Sequence, residues 1–521
     1  LLPEPSAFVA PQPEPISPVI QQLSTTPVRF AGKRFSLPYM PICLEGILSL
    51  ALNPNNSLPP LRVDQAKVAS ADIIRCGYYG DALGSELESR TYAERKRTLL
   101  NAMSAPSEAH FVNHVPDPVM RDQYLIAQLQ KKNLNSRELA HRATDDTQQG
   151  VLSAIAKTDW ILNGGEDLDA LAGQIAYAFH DPKFPVPAGA GHGRFDIRGG
   201  ANTLYMCKFA KKPRENWKDV AIEDVKLVKN SSGQVLGIQK LGVRAGGAGN
   251  GGMMRLGYDL LPLLSSNATT QALIEQVLIS NQVTHPSSFS AVASVGQVIM
   301  MARCINLRLD ALSRQDHIPV IPPNFFLDTY HEVARALEHP DQKFGFLKGF
   351  AEVPERIKHR CSADEWQAPR LPSEFLRASP HSSEAIRLGS VEQALIESEG
   401  LDNTSASVDS VLKRWSSNSY LGATFPSVVF LLERFGRANP AHAVNMAALV
   451  TKDSDTCATI VAQVMGALYG SVWVDDEFER CIDSSGNPTF DINLGAGFSI
   501  DHLIAHMNNF YDRSAAHRPQ G

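Results

Sequence analysis

Thr451-Lys452-Asp453-Ser454-Asp455-Thr456-Cys457-Ala458-Thr459-Ile460-Val461-Ala462-Gln463-Val464-Met465-Gly466-Ala467-Leu468-Tyr469-Gly470 is the stretch that decides how the chain is read. Carboxylates and hydroxyls open it, and small or apolar residues (Ala458, Ile460, Val461, Val464, Met465, Leu468) continue it. Asp, Ser and Thr favour helix starts, so a helix is expected to begin near Asp453. It is apolar around most of its circumference, which places it inside the protein. Carboxylates on top of a buried helix are costly unless a cation neutralises them.

A second stretch of the same kind lies far upstream, Thr144-Asp145-Asp146-Thr147, ahead of the helix-like run Val151 to Leu162. If the two helix starts meet, four carboxylates and the hydroxyls beside them converge. Such an all-oxygen set suits Mg²⁺ or Mn²⁺, and no His or Cys pair with zinc spacing lies nearby. Four carboxylates exceed the need of one divalent ion, so two ions fit. The simpler alternative, that each stretch only caps its helix, stays open at this level.

Together with Gly466-Ala467-Leu468-Tyr469-Gly470, these stretches resemble the metal motifs of the ADP-ribosylglycohydrolase family. Four further blocks resemble the same family in the same order. Tyr79-Gly80-Asp81-Ala82-Leu83-Gly84 reads as a turn leading to Glu88, with Gly80 and Gly84 also able to permit close helix approach, Gly249-Asn250-Gly251-Gly252-Met253-Met254-Arg255 as a glycine loop, and Thr284-His285 as a helix start. Arg198-Gly199-Gly200 resembles an Arg-Gly-aromatic-Gly element, with Gly200 where the family has the aromatic. The resemblance implies a mainly α, compact all-helical core with two Mg²⁺ ions, replaceable by Mn²⁺, at a central cleft. Thr144, Asp145, Asp146, Asp453, Asp455 and Thr456 would be the ligands. Arg198, Gly199 and Gly200 would line the ribose. Gly249, Asn250, Gly251, Gly252, Met253, Thr284 and His285 would hold the diphosphate. Glu88 would sit over the metals, and Asp146 and Glu88 are the candidates for proton handling, with acid and base unassigned.

The implied activity is removal of ADP-ribose from mono-ADP-ribosylated protein, foremost from arginine, by cleavage at the ribose C1. Alternatives are a serine- or other O-linked ADP-ribose hydrolase, a non-catalytic ADP-ribose-binding or structural protein, and a metal-dependent phosphohydrolase. The ADP-ribosylated protein is the expected partner and ADP-ribose the product.

The chain has 521 residues and a formal net charge of −6, which argues against a general nucleic-acid binder. Seven scattered cysteines without a CxxC pair fit free thiols in a reducing compartment. No signal-peptide form and no membrane span is read, so a soluble intracellular protein is expected, with delivery into another cell left open.

Residues 1–62 are a Pro-rich N-terminal extension, 63–304 the first part of the core, 305–415 a helical insertion for capping or target docking, 416–475 the second part, and 476–521 a C-terminal extension packing on the core. Val225 to Lys229 and Val235 to Gln239 flank Asn230-Ser231-Ser232-Gly233, which predicts a minor β-hairpin.

Overall fold

The computed structural model describes residues 61–85, 87–88, 92–95, 144–165, 167–180, 225–240, 249–266, 270–285, 288–316, 318–337, 366–370, 387–415, 419–474 and 499–516. All of them lie within Pro38–Gly521, one unit by its internal contacts. Of the interpretable part, 76% is helical, so the mainly α expectation stands.

The decisive stretch forms helix α12 (Ser454–Tyr469), preceded in chain order by α1 (Val63–Ser85), α2 (Asp145–Leu162), α3 (Leu168–His180), α4 (Gly251–Asp259), α5 (Thr270–Gln282) and α6 (Ser288–Ser313). Between α6 and α12 come α7 (Phe325–Ala336), α8 (Leu388–Ser398), α9 (Ser405–Leu412), α10 (Leu421–Leu431) and α11 (Pro440–Val450), and α13 (Ile500–Ala516) follows. Every residue of α12 from Ser454 to Leu468 is buried, as its apolar circumference demands.

Helix α12 lies along α1 at very close range. A Cβ at Gly80 would run into the backbone of Ala458, and one at Gly84 into the backbone of Ser454 and Asp455. The Ser454 hydroxyl donates to the Gly84 carbonyl at 2.8 Å, closing the contact at the helix start. The turn expected over Tyr79–Gly84 is instead the last part of α1, which runs on to Ser85. Of the two readings of Gly80 and Gly84, close helix approach holds and chain reversal does not.

The hairpin forms as β1 (Val225–Lys229) and β2 (Val235–Lys240), antiparallel. A third strand that sequence reading did not anticipate, β3 (Trp366–Arg370), joins parallel to β2. Its partner is more than a hundred residues away, beyond the reach of local pattern.

The segment read as an insertion is woven into the core where it is described. Helix α6 runs unbroken across residue 305, so no boundary falls there. Phe326, Tyr330 and Val333 of α7, Val391 of α8 and Val411 of α9 are buried in the common core. The Leu327 backbone N–H donates to Glu433 Oε1 at 2.7 Å, and Arg434 Nη1 donates to the Ser398 carbonyl at 2.7 Å.

Among the described residues one helical segment, Ser290–Ser313, is long and apolar enough to cross a membrane, and 94% of its most apolar window is buried within the protein. That is the burial of a core helix.

Candidate active site

The site is built where the starts of α2 and α12 meet. Thr144 caps α2: its Oγ1 accepts from the Asp146 backbone N–H at 3.3 Å. Asp453 occupies the corresponding position of α12 but makes no cap bond through its side chain. Its carboxylate turns away and accepts from Asn250 Nδ2. Capping therefore accounts for Thr144 and does not account for Asp453. The Thr456 hydroxyl donates to Asp146 Oδ2 at 3.3 Å, linking the two helix starts directly.

Two carboxylate groups result. One oxygen from each of Asp81, Asp146 and Asp455 lies within 4.8 Å of the others, and the same holds for Glu88, Asp453 and Asp455. Asp455 belongs to both. Asp81, Asp146, Asp453 and Asp455 are buried and Glu88 is exposed. Burial, first, and then the surrounding carboxylates push Asp146 and Asp455 well above the ordinary carboxylate range. Burial likewise pushes Asp453 up to about 6, opposed by its bond from Asn250. Asp145 is half-buried and is raised to about 7, first by burial and then by Asp81. Its Oδ2 accepts from Gln149 Nε2 at 2.9 Å, and its carboxylate stands outside both groups.

Asp81 was not among the expected site residues, yet the site rests on it. Its two oxygens accept from the Thr144 N–H (3.0 and 3.2 Å) and hydroxyl (2.7 Å), and from the Thr147 N–H (3.1 Å) and hydroxyl (2.6 Å). Burial raises it to about 6 against those bonds. A carboxylate so fully engaged anchors the α2 start on α1 rather than serving as a free ligand. Asp146 is the opposite case: its Oδ1 is buried without a hydrogen-bond partner among the described residues. The available signal for Asp81 was a carboxylate between two glycines of a buried helix, since buried polar groups find donors.

Arg95 is a second unanticipated residue. It is wholly buried, donating through Nε to the Leu87 carbonyl (2.9 Å) and through Nη1 to the Leu449 carbonyl (3.0 Å). It thereby fixes the turn that carries Glu88 against α11, and burial lowers it to about 10.

The start of α4 forms the neighbouring part of the site. Gly249 bridges Tyr420, and Asn250 donates its N–H to the Ser419 carbonyl at 3.1 Å. Asn250 makes no cap bond to α4, and within α4 the first backbone bond back to Asn250 comes from Met254. The N–H groups of Gly251, Gly252 and Met253 are left without an acceptor among the described residues. Uncapped helix N-termini of this kind attract anions.

His285 stands beside them; a Cβ on Gly251 would come within 2.8 Å of its Cε1. Burial lowers His285 to about 3, so the ring is neutral. Its Nδ1 lies 2.8 Å from the Thr284 hydroxyl, which has no other side-chain partner among the described residues. With a neutral ring, this bond runs either from the Thr284 hydroxyl to Nδ1 or from an Nδ1–H to the hydroxyl oxygen, according to the tautomer. Nε2 is the ring nitrogen on the side that faces Gly251.

Gly252 differs from the loop glycine that sequence reading expected. It lies inside α4, and a Cβ there would strike Asn281 Oδ1 and Ser290 Oγ, so it permits close packing with α5 and α6. Met253 is buried in the core. Arg198, Gly199 and Gly200 lie outside the described residues.

Fold and site define a mainly helical protein with a buried, oxygen-only acidic centre at converging helix starts and an open helix N-terminus beside it. The ADP-ribosylglycohydrolase family model matches residues 73–484, and the chain belongs to that family, whose members are hydrolases acting on glycosyl bonds. The family is metal-dependent and acts on ADP-ribosylated substrates. No match was found among curated proteins. The residues present fit a hard divalent cation: the donors are carboxylates and hydroxyls, and Asp146 Oδ1 has no other partner among the described residues.

Proposed function

We propose that the protein is a Mg²⁺-dependent hydrolase that removes ADP-ribose from mono-ADP-ribosylated protein, foremost from arginine, by cleaving the glycosidic bond at the ribose C1. The observation that carries this reading is the convergence of Asp146, with its unpartnered buried Oδ1, on Asp455 and Thr456. Asp146, Asp453, Asp455, Thr144 and Thr456 are proposed to hold two ions, with Asp455 shared and Asp145 at the edge. Bound ions orient the ribose diol and acidify a water.

The chain's own groups would do the rest. The open N–H groups of α4 and the Nε2–H of His285 bind the diphosphate, positioning the reacting ribose over the acidic centre. Cleavage develops positive charge at C1, which the adjacent carboxylates stabilise. Asp146, buried, and Glu88, exposed at the opening, handle the proton. Target choice is proposed to lie with those parts of 305–415 that are not packed into the core.

The test is incubation with proteins carrying defined arginine- or serine-linked ADP-ribose, with and without EDTA. Release of free ADP-ribose from the arginine linkage, abolished by EDTA and restored by Mg²⁺ or Mn²⁺, is the expected result. Full activity in EDTA would overturn the metal reading. Release from serine alone would move the substrate assignment, and AMP or phosphate as product would make the protein a phosphohydrolase.

A further inference from the structure

Asn250 stands where the two halves of the site join. Family resemblance gives it to the substrate, but its side chain is committed elsewhere. Its Nδ2 donates to Thr424 Oγ1 at 2.9 Å and to Asp453 Oδ2. A carboxylate only accepts, so the amide nitrogen must be the atom that faces Asp453. The residue is 5% exposed, and its backbone is pinned through the Ser419 carbonyl at 3.1 Å. Its φ of −82° and ψ of −10° are helical, whereas a capping asparagine needs extended backbone. Asparagine is among the best N-cap residues, yet here it caps nothing.

We propose that Asn250 is a positioning residue of the acidic centre rather than a substrate contact. It holds Asp453 by one oxygen, which sets the direction in which the other is presented to the cation that Asp455 would share. By giving its side chain to Asp453, it also leaves the first N–H groups of α4 open to the anionic part of the substrate. One side chain thus serves the cation half directly and the anion half by abstention. The inference rests on the reading of the acidic cluster as a cation centre. It concerns the holder of one ligand rather than the ligand set itself.

Groups that orient a metal-binding carboxylate contribute about 10- to 100-fold in metal affinity. Calorimetric titration of the full chain with Mn²⁺, and separately with ADP-ribose in excess EDTA, tests the proposal. Asn250→Ala should lose metal affinity by about 10- to 100-fold. Its metal-free ADP-ribose affinity should stay within about twofold of the wild type, because the N–H groups of α4 remain open. A residue that only supports the fold would lower both affinities and the melting temperature together, so a parallel loss overturns the proposal. Wild-type metal affinity in folded Asn250→Ala also overturns it. Should Asn250→Ala fail to fold, Thr424→Val decides. It removes the second acceptor that fixes the amide and should weaken Mn²⁺ a few-fold without changing ADP-ribose binding, and an unchanged Mn²⁺ affinity counts against Asn250. A wild type that binds no divalent ion overturns both this inference and the cation reading beneath it, whereas metal binding that ignores Asn250 overturns this inference alone.

Discussion

At the scale of single residues, the site assigns roles through what each polar atom already has. Asp81 has both oxygens engaged and acts as an anchor; Asp146 has one oxygen with no partner among the described residues, left for a ligand. His285 carries a prediction of the same kind. The diphosphate role proposed for its Nε2–H requires the Thr284 hydroxyl to give its proton to Nδ1, so ¹⁵N spectra should show a neutral ring protonated at Nε2 across the neutral pH range. Thr284→Val should lose about 5- to 10-fold in ADP-ribose affinity, the worth of about one hydrogen bond, and Thr284→Ser should keep it. A ring protonated at Nδ1 in the wild type would refute the assignment.

At the scale of elements, the α1–α12 contact sets the site because glycine lets the α12 start come against the end of α1. The same logic governs α4. Gly252 faces Asn281 and Ser290 with no room for a methyl group, whereas Gly389 in α8 has nothing within 4 Å of its missing Cβ. Gly252→Ala should therefore destabilise the fold by about 1–3 kcal/mol through overpacking. Gly389→Ala should be neutral or stabilising by up to about 1 kcal/mol, since alanine is the better helix residue. Chemical denaturation of the two variants is the check, and equal stabilities would show that α4 has slack. Gly251, by contrast, meets the edge of the His285 ring, so a side chain there acts on the ligand contact first.

At the scale of the whole molecule, the buried carboxylates tie stability to pH and to cation. Asp81 and Asp453 stand near 6 and Asp145 near 7 in the folded chain, against 3.8 ordinarily. The unfolded chain therefore gives up these protons first as pH rises. In EDTA this contribution to stability is fully present below about pH 4 and is lost as pH climbs to about 7. A divalent cation relieves the repulsion among the ionised groups. The gap in melting temperature between Mg²⁺ and EDTA samples should widen by a few °C from about pH 5 to pH 8. A gap that is constant or narrows with pH would mean that the cluster does not bind the ion. The molecule also constrains any edit of 305–415: α7, α8 and α9 contribute to the common core, so deleting the whole segment would cost the fold as well as any docking surface.

The apolar run and the alternating runs were enough to place α12 and the hairpin, because helix and strand periods are local properties of the chain. The helix-start chemistry of Thr144–Thr147 and Asp453–Thr456 was equally legible, since caps and carboxylates announce themselves within a few residues. Three things needed the tertiary structure. Glycine reads alike in a turn and in a tight helix contact, and only the neighbour at Gly84 or Gly252 distinguishes them. Strand β3 finds β2 across more than a hundred residues, so no local signal pairs them. A carboxylate's role depends on its donors: Asp81 and Asp146 are the same residue type on buried helices. The free oxygen of Asp146 and the saturated pair of Asp81 are set by which helix start is packed against them.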